Sequence, residues 1–532
     1  EFQMSEDIVL TFGLRYDRYG SPDRPRLNPV FVQKFGFDNT QGFNGLDVWQ
    51  PRFGFTWDLG ETIAGETKFR GGIGVFSGGD PTVWFANNYQ NFGGAIGNGR
   101  SSNAPCTAAD LQVVSGGVFT GLPACITQQQ IAQATQNRGA VNAIDPDFKI
   151  PSLLRFNAGF SHYTDFGGGF FDGWNIQVDY IRSQRQNAPD FLNLALTESG
   201  LFAPDGRPIL TAIDPTRPGC DAVFQGIRRG FTGSDLTPTG PCASFRREDI
   251  LLTNVQGPDG YAQTASIGLS KEFEYDLGGR EGSFNFTFGY AYTDSKEVNP
   301  SNSSTASSNF EEVAVVTPNM AILGPSQYVN NHNITVAARF KQEFVRDYPT
   351  RLNFFFNAQS GRRFSYVWDE DVDLLLGDSD DEARRLLYVP TGPSDPLINT
   401  AAMSASEVTA FFDFLESSGL NRYAGGFAPR NAFKDPWFKD LDIRIAQDLP
   451  GFFGGHRAQI FIDIENALNL ISDDMNILER MNRGNVTEGV EVIDFSSIAG
   501  GQYNLRSFKN PQLERIVDPS VWAIQFGFRY EF

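Results

Sequence analysis

The sequence predicts an all-β fold, a transmembrane antiparallel β-barrel of the outer-membrane type, from three observations. In the last twelve residues, VWAIQFGFRYEF, large apolar side chains occupy every second position from Trp522 to Phe532. A strand with this alternation faces two different solvents. The 532 residues include 49 Phe and 55 Gly, as expected where lipid-facing aromatic residues alternate with small residues that face a lumen. No apolar run approaches the roughly 18 residues that a transmembrane helix needs.

The same two-residue period recurs along the chain and predicts about 12 to 14 strands. It is clearest over 283–294, where aromatic residues from Phe284 to Tyr292 alternate with small and polar ones. Every second connection is short and the others are long, so we expect short periplasmic turns and long extracellular loops. The predicted strands lie at about 8–18, 49–59, 65–76, 151–163, 173–190, 260–273, 283–294, 331–345, 349–360, 437–448, 456–468 and 521–532.

Net charge and cysteine spacing limit the partners and the compartment. The formal net charge of −20 argues against nucleic acid as a partner, because phosphate binding needs a basic surface. The charge suits cationic ligands, and solvated acidic loops are the alternative explanation.

Two local pairs, Cys106 with Cys125 and Cys220 with Cys242, lie in polar stretches. Closing loops of about twenty residues removes chain entropy, so we predict two disulfides in an oxidising compartment. Four unpaired thiols are the alternative.

One long connection, 361–436, contains a predicted helix. Ser404 and Glu407 have the spacing of a capping box, apolar residues follow at helical spacing, and Gly419 stands where a C-terminal cap belongs. We predict a short amphipathic helix at about 405–418. Its apolar face is expected to pack on the loop or on the barrel wall rather than on a ligand.

Three stretches carry a resemblance to a known family. They are NAQSGRRFSYVW from Asn357, LLYVP at 386–390, and FFDFLESSGLNRYAGGFAPRNAFKDPWFKDLDIRIAQDLPGFF, which ends at Phe453. These stretches resemble the C-terminal barrel of TonB-dependent receptors of the Oar-like group, which have a carboxypeptidase-regulatory-like domain at the N-terminus. The opening IVLTFGLRYDRYG and the closing strand are also similar to that family. The resemblance implies a barrel of about 22 strands that is filled by a plug and energised by the TonB–ExbB–ExbD system.

The chain departs from that family because it shows no TonB box, plug or regulatory-like domain. About twelve strands cannot complete such a wall, and an open barrel would expose edge amides to hydrocarbon at several kcal/mol each. We therefore expect 1–532 to be the C-terminal portion of the receptor barrel, with the plug and remaining strands elsewhere in the same polypeptide. The alternative is a pore of about 12 to 14 strands that closes alone. The start, EFQMSEDIVL, lacks signal-peptide features, so any signal peptide is expected outside this chain.

Aromatic residues in the predicted outward loops are the candidate ligand contacts. Rings at the mouth of a barrel can stack on sugars or peptides, and packing within the loops is the alternative. The candidates are Trp84 and Tyr89 in one loop, Tyr366 and Trp368 in a second, and Tyr423 in a third.

The acidic run WDEDVDLLLGDSDDE is the candidate metal site. The carboxylates of Asp369, Asp371 and Asp373 are closely spaced on a loop, which suits a hard cation such as calcium. An EF-hand loop needs Gly where this chain has Leu374, so a solvated acidic loop is the alternative. No other cofactor is predicted.

The motifs do not indicate an enzyme. The chain has no GxSxG, HExxH or GxxxxGK, and its three histidines lie at predicted strand ends, where surface roles are expected. We expect a protein of a Gram-negative outer membrane, in contact with its lipid. The resemblance implies a TonB-dependent receptor whose loops bind a large solute, with a peptide or protein fragment favoured and an oligosaccharide next. A surface lipoprotein is a further candidate partner. A passive porin or structural barrel is the alternative.

Overall fold

The computed structural model describes residues 1–62, 64–78, 82–94, 106–135, 138–244, 248–320, 322–369, 373–377, 384–483 and 489–532. Its main feature is a 14-stranded antiparallel sheet. Two of these strands, Phe2–Gln3 and Gly324–Pro325, are only two residues long, which leaves twelve long strands that pair in chain order. We call these the wall strands. They are β1 Ile8–Arg18, β2 Asp47–Thr62, β3 Gly65–Phe76, β4 Ser152–Thr164, β5 Asn175–Gln186, β6 Gly260–Asp276, β7 Glu281–Glu297, β8 His332–Val345, β9 Tyr348–Gln359, β10 Phe438–Pro450, β11 Arg457–Glu465 and β12 Ala523–Glu531.

The wall strands confirm the strands predicted from the two-residue period, and the predicted alternation of short and long connections is also confirmed. The largest difference is at the end of β5, which was expected to continue to about 190 and ends at Gln186. Asn187 has a left-handed φ of 53°, and the chain leaves the wall there. Pro189–Asn193 then pairs with Asp249–Asn254, outside the wall sheet.

The register of the wall separates two faces. Phe288 of β7 lies between Leu269 of β6 and Val336 of β8, so large apolar side chains form one continuous face. On the other face, the neighbouring Thr287 lies between Ser270 and Ala337. The apolar face continues to β12, whose Phe526 is 75% exposed. Exposed aromatic surface of this extent is expected of a barrel wall that contacts lipid.

The wall sheet has two open edges in the described residues. β12 pairs with β11 on one side only, and the outer edge of β1 pairs only with Phe2–Gln3. No hydrogen-bonded pairing joins β1 to β12 in this part of the chain. The backbone groups along these two edges need partners wherever the wall lies in hydrocarbon.

The long connections fold together at one end of the wall, and we call this assembly the cap. It consists of the described residues within 19–46, 77–151, 187–259, 298–331, 360–437 and 466–522. Its connections are linked by strand pairing: Asp249–Asn254 runs parallel to Val141–Ile144, and Arg363–Val367 runs parallel to Gly489–Glu491. Three large clusters of buried apolar side chains lie inside the cap. The long connections are therefore a folded unit with its own cores.

The cap contains all seven α-helices of the described residues and most of the short strands. The helices are α1 Pro29–Phe35, α2 Thr82–Gln90, α3 Ala124–Thr135, α4 Ala306–Glu311, α5 Asp373–Leu376, α6 Ala405–Ser417 and α7 Ala467–Ile471, with 3₁₀ helices at Leu420–Tyr423 and Asp518–Ser520. The cap strands are Val114–Ser115, Val118–Phe119, Val141–Ile144, Pro189–Asn193, Leu196–Phe202, Pro208–Ala212, Val223–Gly226, Gly230–Thr232, Asp249–Asn254, Arg363–Val367, Tyr388–Val389, Ile398–Asn399, Gly426–Phe427, Phe433–Lys434, Leu478–Met481, Gly489–Glu491, Ile493–Ala499, Gln502–Phe508 and Leu513–Ile516. Across the residues that the structure describes, no helix has the length and apolarity to cross a membrane.

Helix α6 confirms the predicted capping-box helix. The Ser404 hydroxyl accepts a hydrogen bond from the Glu407 backbone N–H, and the Glu407 carboxylate accepts one from the Ser404 backbone N–H. Both bonds satisfy backbone groups that the first helical turn leaves without partners. Phe411 and Leu415 are buried among the apolar side chains of the cap, so the apolar face of α6 packs within the cap, as predicted.

Replacing Phe288 by Arg should lower the free energy of unfolding by about 2–4 kcal/mol, because the charge would enter lipid near the middle of β7. Thr287→Arg is the matched control, since this neighbour lies on the opposite face and its charge would stay in a polar interior. Urea titration of the whole polypeptide in lipid vesicles measures both losses. Equal losses for the two variants would contradict the assignment of the faces.

Candidate functional site

Both predicted disulfides are confirmed in the cap, each within one long connection. Cys106 bonds to Cys125 and Cys220 bonds to Cys242, with Cα–Cα distances of 5.5 and 4.7 Å. Cys242 is fully buried in one of the apolar clusters, which also contains Phe31 from the first long connection. The second disulfide therefore braces the part of the cap in which two connections meet.

The structure places the predicted ligand-contact residues in two separate clusters of the cap. Tyr366 and Trp368 are 6% and 1% exposed, and Tyr423 packs beside them against Phe433. Burial, followed by the charge of Asp435, raises the pKa of Tyr366. Tyr366 and Trp368 are therefore buried in a core of the cap, and their contact with a ligand stays a prediction.

Trp84 and Tyr89 lie on α2, beside the other cluster. Trp84 packs partly buried against that cluster, and Phe43 contacts the Tyr89 ring at a centroid distance of 6.4 Å. The Tyr89 hydroxyl donates a hydrogen bond to the Asp23 carbonyl. Both rings are half-buried, so ligand contacts by Trp84, Tyr89 and Tyr423 stay a prediction.

The candidate calcium site is only partly placed. The carboxylate of Asp369 is buried and forms an ion pair with Lys509 at 2.8 Å. Asp371 and the side chain of Asp373 lie outside the described residues. In the ranges that are described, no group of three His, Cys, Asp or Glu side chains is arranged to hold a metal ion. Calcium binding by the acidic run stays a prediction.

A cleft of about 440 Å³ lies between two connections of the cap. Its walls are formed by 193–200, 227–231 and 317–320. The amide side chain of Asn319 holds the walls together, because its oxygen accepts from the Asn193 backbone N–H at 2.9 Å and its nitrogen donates to the Asn193 carbonyl at 2.7 Å. Asn319 has a left-handed φ of 62°. The cleft therefore depends on a contact between segments that are far apart in the chain.

The floor and the rim of the cleft differ in polarity. The floor is apolar, with Leu196, Leu210 and Phe231 all buried. The rim carries Glu198 and Arg229, which are both exposed and form no ion pair with a described residue. Charged groups of opposite sign therefore stand above an apolar floor, the arrangement by which ligand pockets orient their ligands.

Two buried polar groups of the cleft have unused hydrogen-bonding capacity. The Thr317 hydroxyl is nearly fully buried and has no hydrogen-bond partner among the described residues. The same holds for the Nε of Arg228, whose terminal nitrogens are bonded to Asp190 at 3.1 Å and to the Asn254 carbonyl at 2.9 Å. Burial raises the pKa of Asp190, and the Arg228 charge opposes that shift. Buried polar groups are normally satisfied, so each of these two has capacity for one further hydrogen bond, which a water molecule or a polar ligand can supply.

Comparison with known families decides the identity of the wall. A family model described as "Outer membrane beta barrel domain" matches residues 1–472. The chain belongs to this family. The match includes wall strands β1 to β11 and the cap connections between them. No curated protein matches the chain.

As an outer membrane beta barrel, the chain lies in the outer membrane of a Gram-negative bacterium, with its apolar face against lipid. Short turns of such barrels face the periplasm and long loops face outward, which places the cap and its cleft on the extracellular side. The opposite face of the wall carries ion pairs, such as Arg70 with Asp179 at 2.7 Å and Arg444 with Asp463 at 3.3 Å. The interior of the barrel is therefore polar.

Sequence reasoning missed the residues of the cleft. Glu198 and Arg229 stand in polar stretches like many others, and Thr317 precedes a proline that is typical of any loop. Long-range contacts, such as that of Asn319 with Asn193, 126 positions apart, bring these residues together. A single sequence carries no local signal for such a contact.

Removing the Cys220–Cys242 disulfide with two Ser substitutions should destabilise the cap by about 3 kcal/mol, because the unfolded connection regains the entropy of a closed loop. Limited proteolysis in the outer membrane should then cut within 187–259. The matched control is the Cys106→Ser, Cys125→Ser variant, whose cysteines lie outside the large buried clusters. Equal resistance of 187–259 in the first variant and the unmodified protein would refute a bracing role.

Proposed function

We propose that this outer membrane barrel is the wall and cap of a TonB-dependent receptor, which binds a solute outside and moves it inward. The observation that carries the proposal is the combination of two open wall edges with a folded, ligand-sized cleft in the cap. A passive pore needs a closed wall, because unpaired edges are costly in lipid. On this proposal, the edges of β1 and β12 pair with further strands of the same polypeptide.

The resemblance of Asn357 to Phe453 to Oar-like receptors supports the proposal, since receptors of that group have larger barrels with a plug. The barrel interior also offers contacts for a plug. Arg339 and Lys341 of β8 lie on the same face as Thr287, and neither forms an ion pair with a described residue. Cationic side chains in a polar lumen suit acidic groups on a plug surface.

Energy for transport would come from the TonB–ExbB–ExbD system, which pulls on the plug. A peptide or protein fragment is the favoured cargo and an oligosaccharide is the next candidate. A surface lipoprotein that covers the cap is a further proposed partner. The rival function is a passive porin, for which the polar face of the wall is the relevant observation.

We expect uptake through this protein to need TonB. Cells that express the whole polypeptide should take up labelled oligopeptides, and deletion of TonB or collapse of the proton gradient should abolish that uptake while surface binding persists. The matched control is uptake through a general porin in the same cells. The receptor proposal would be contradicted, and the porin favoured, by two results together. Uptake would be unchanged without TonB, and the purified protein would conduct ions steadily in planar bilayers.

A further inference from the structure

We propose that the cap cleft binds a short peptide with both ends free, whose ammonium group pairs with Glu198 and whose carboxylate pairs with Arg229. The proposal deepens the receptor function, because it narrows the favoured peptide cargo to a short peptide with free termini and names the residues that bind it. It rests on the proposed function only for the role of the ligand as cargo. Binding itself follows from the cleft alone.

The size of the cleft selects a small ligand. Its 440 Å³ lies within the roughly 300–1,000 Å³ range of small-molecule pockets. Leu194, Leu196 and Leu210 contribute apolar lining, and Met320 adds an exposed, flexible thioether side chain at the rim. Such a surface accepts apolar side chains of different shapes. A short peptide supplies those side chains together with polar backbone groups.

The charged residues around the cleft favour a ligand that carries both a positive and a negative charge. Arg228 is already neutralised by Asp190, so its guanidinium adds little net charge. Glu198 and Arg229 remain at the rim, and neither pairs with a described residue. A ligand with one charge would leave one of them unmatched, whereas a peptide with free termini matches both. Paired charges of this kind give specificity more than raw affinity.

The buried Thr317 hydroxyl selects a ligand with hydrogen-bonding groups along its length. It lines the cleft, is 4% exposed and has no partner among the described residues. A peptide bond offers a carbonyl and an N–H to such a hydroxyl. Peptide backbone running along the floor would therefore satisfy Thr317 between the two charged ends.

The cleft fits a sugar less well. Carbohydrate sites usually present the face of an exposed aromatic ring, and Phe231, the aromatic residue that lines this cleft, is 4% exposed. A sugar without charge would also leave Glu198 and Arg229 unmatched. The observations therefore favour a peptide over an oligosaccharide.

The test uses the whole purified polypeptide in lipid nanodiscs and titration calorimetry with trialanine. Trialanine should bind saturably, and its N-acetylated and C-amidated forms should each bind about tenfold more weakly, as expected for the loss of one charge pair at a partly solvated rim. Maltotriose serves as the sugar probe and should not compete.

Variants assign the two ends of the ligand. Glu198→Gln should weaken trialanine and remove the penalty for N-acetylation, while Arg229→Gln should remove the penalty for C-amidation. Thr317→Val should weaken all three peptides equally, and Thr317→Ser should restore binding. Glu416→Gln and Arg24→Gln alter exposed cap charges outside the cleft and should leave binding unchanged. Thermal unfolding of each variant monitors the fold.

The proposal would be overturned if trialanine did not bind saturably. It would also be overturned if N-acetylation and C-amidation still weakened binding in the Glu198→Gln and Arg229→Gln variants. Binding of maltotriose in place of trialanine would overturn it in favour of a sugar site. The two proposals fail separately: trialanine binding without TonB-dependent uptake contradicts the receptor function alone. TonB-dependent uptake of another solute by a protein that does not bind trialanine contradicts the peptide site alone.

Discussion

Hydrocarbon offers no hydrogen-bond partner to a backbone amide, and the arrangement of this chain follows from that constraint. Wall strands β2 to β11 each pair with the strands before and after them, so that backbone groups within the sheet are satisfied. The same pairing fixes the register that puts Phe288 and Phe526 on the lipid side. The same constraint applies to the two open edges, because β1 and β12 each have a row of backbone groups that a membrane cannot satisfy. These edges therefore need pairing partners in the membrane.

Outside the membrane the constraint changes, because loops in water must bury apolar surface or remain unfolded. The cap is stabilised in water by three large apolar clusters, two disulfides and buried polar contacts between connections. One such polar contact joins the first and third long connections, where Lys34 and Asp249 form a buried ion pair at 2.8 Å. Such a pair is costly to break once both charges are buried. The pair therefore fixes the third long connection, which carries part of the cleft, against the first.

The wall could be predicted from the sequence, because two solvents on two faces impose a period that appears in the residues themselves. The end of β5 was misplaced because the left-handed turn at Asn187 interrupts a stretch that still contains apolar residues. Helix α6 was predicted because Ser404 and Glu407 act locally. The cap strands and the cleft were not predicted, since they depend on pairings such as Asn193 with Asn319. Likewise, the sequence alone does not distinguish whether Tyr366 and Trp368 pack in a core or contact a ligand.

The orientation of the wall is the central claim, because the extracellular cap, the cleft and the receptor proposal all depend on it. Single cysteines at two exposed positions, Met320→Cys in the cap and Leu277→Cys in the turn between β6 and β7, test it most directly. A membrane-impermeant maleimide should label position 320 in intact cells and position 277 only after the outer membrane is permeabilised. Labelling of position 277 in intact cells, with position 320 protected, would contradict the account.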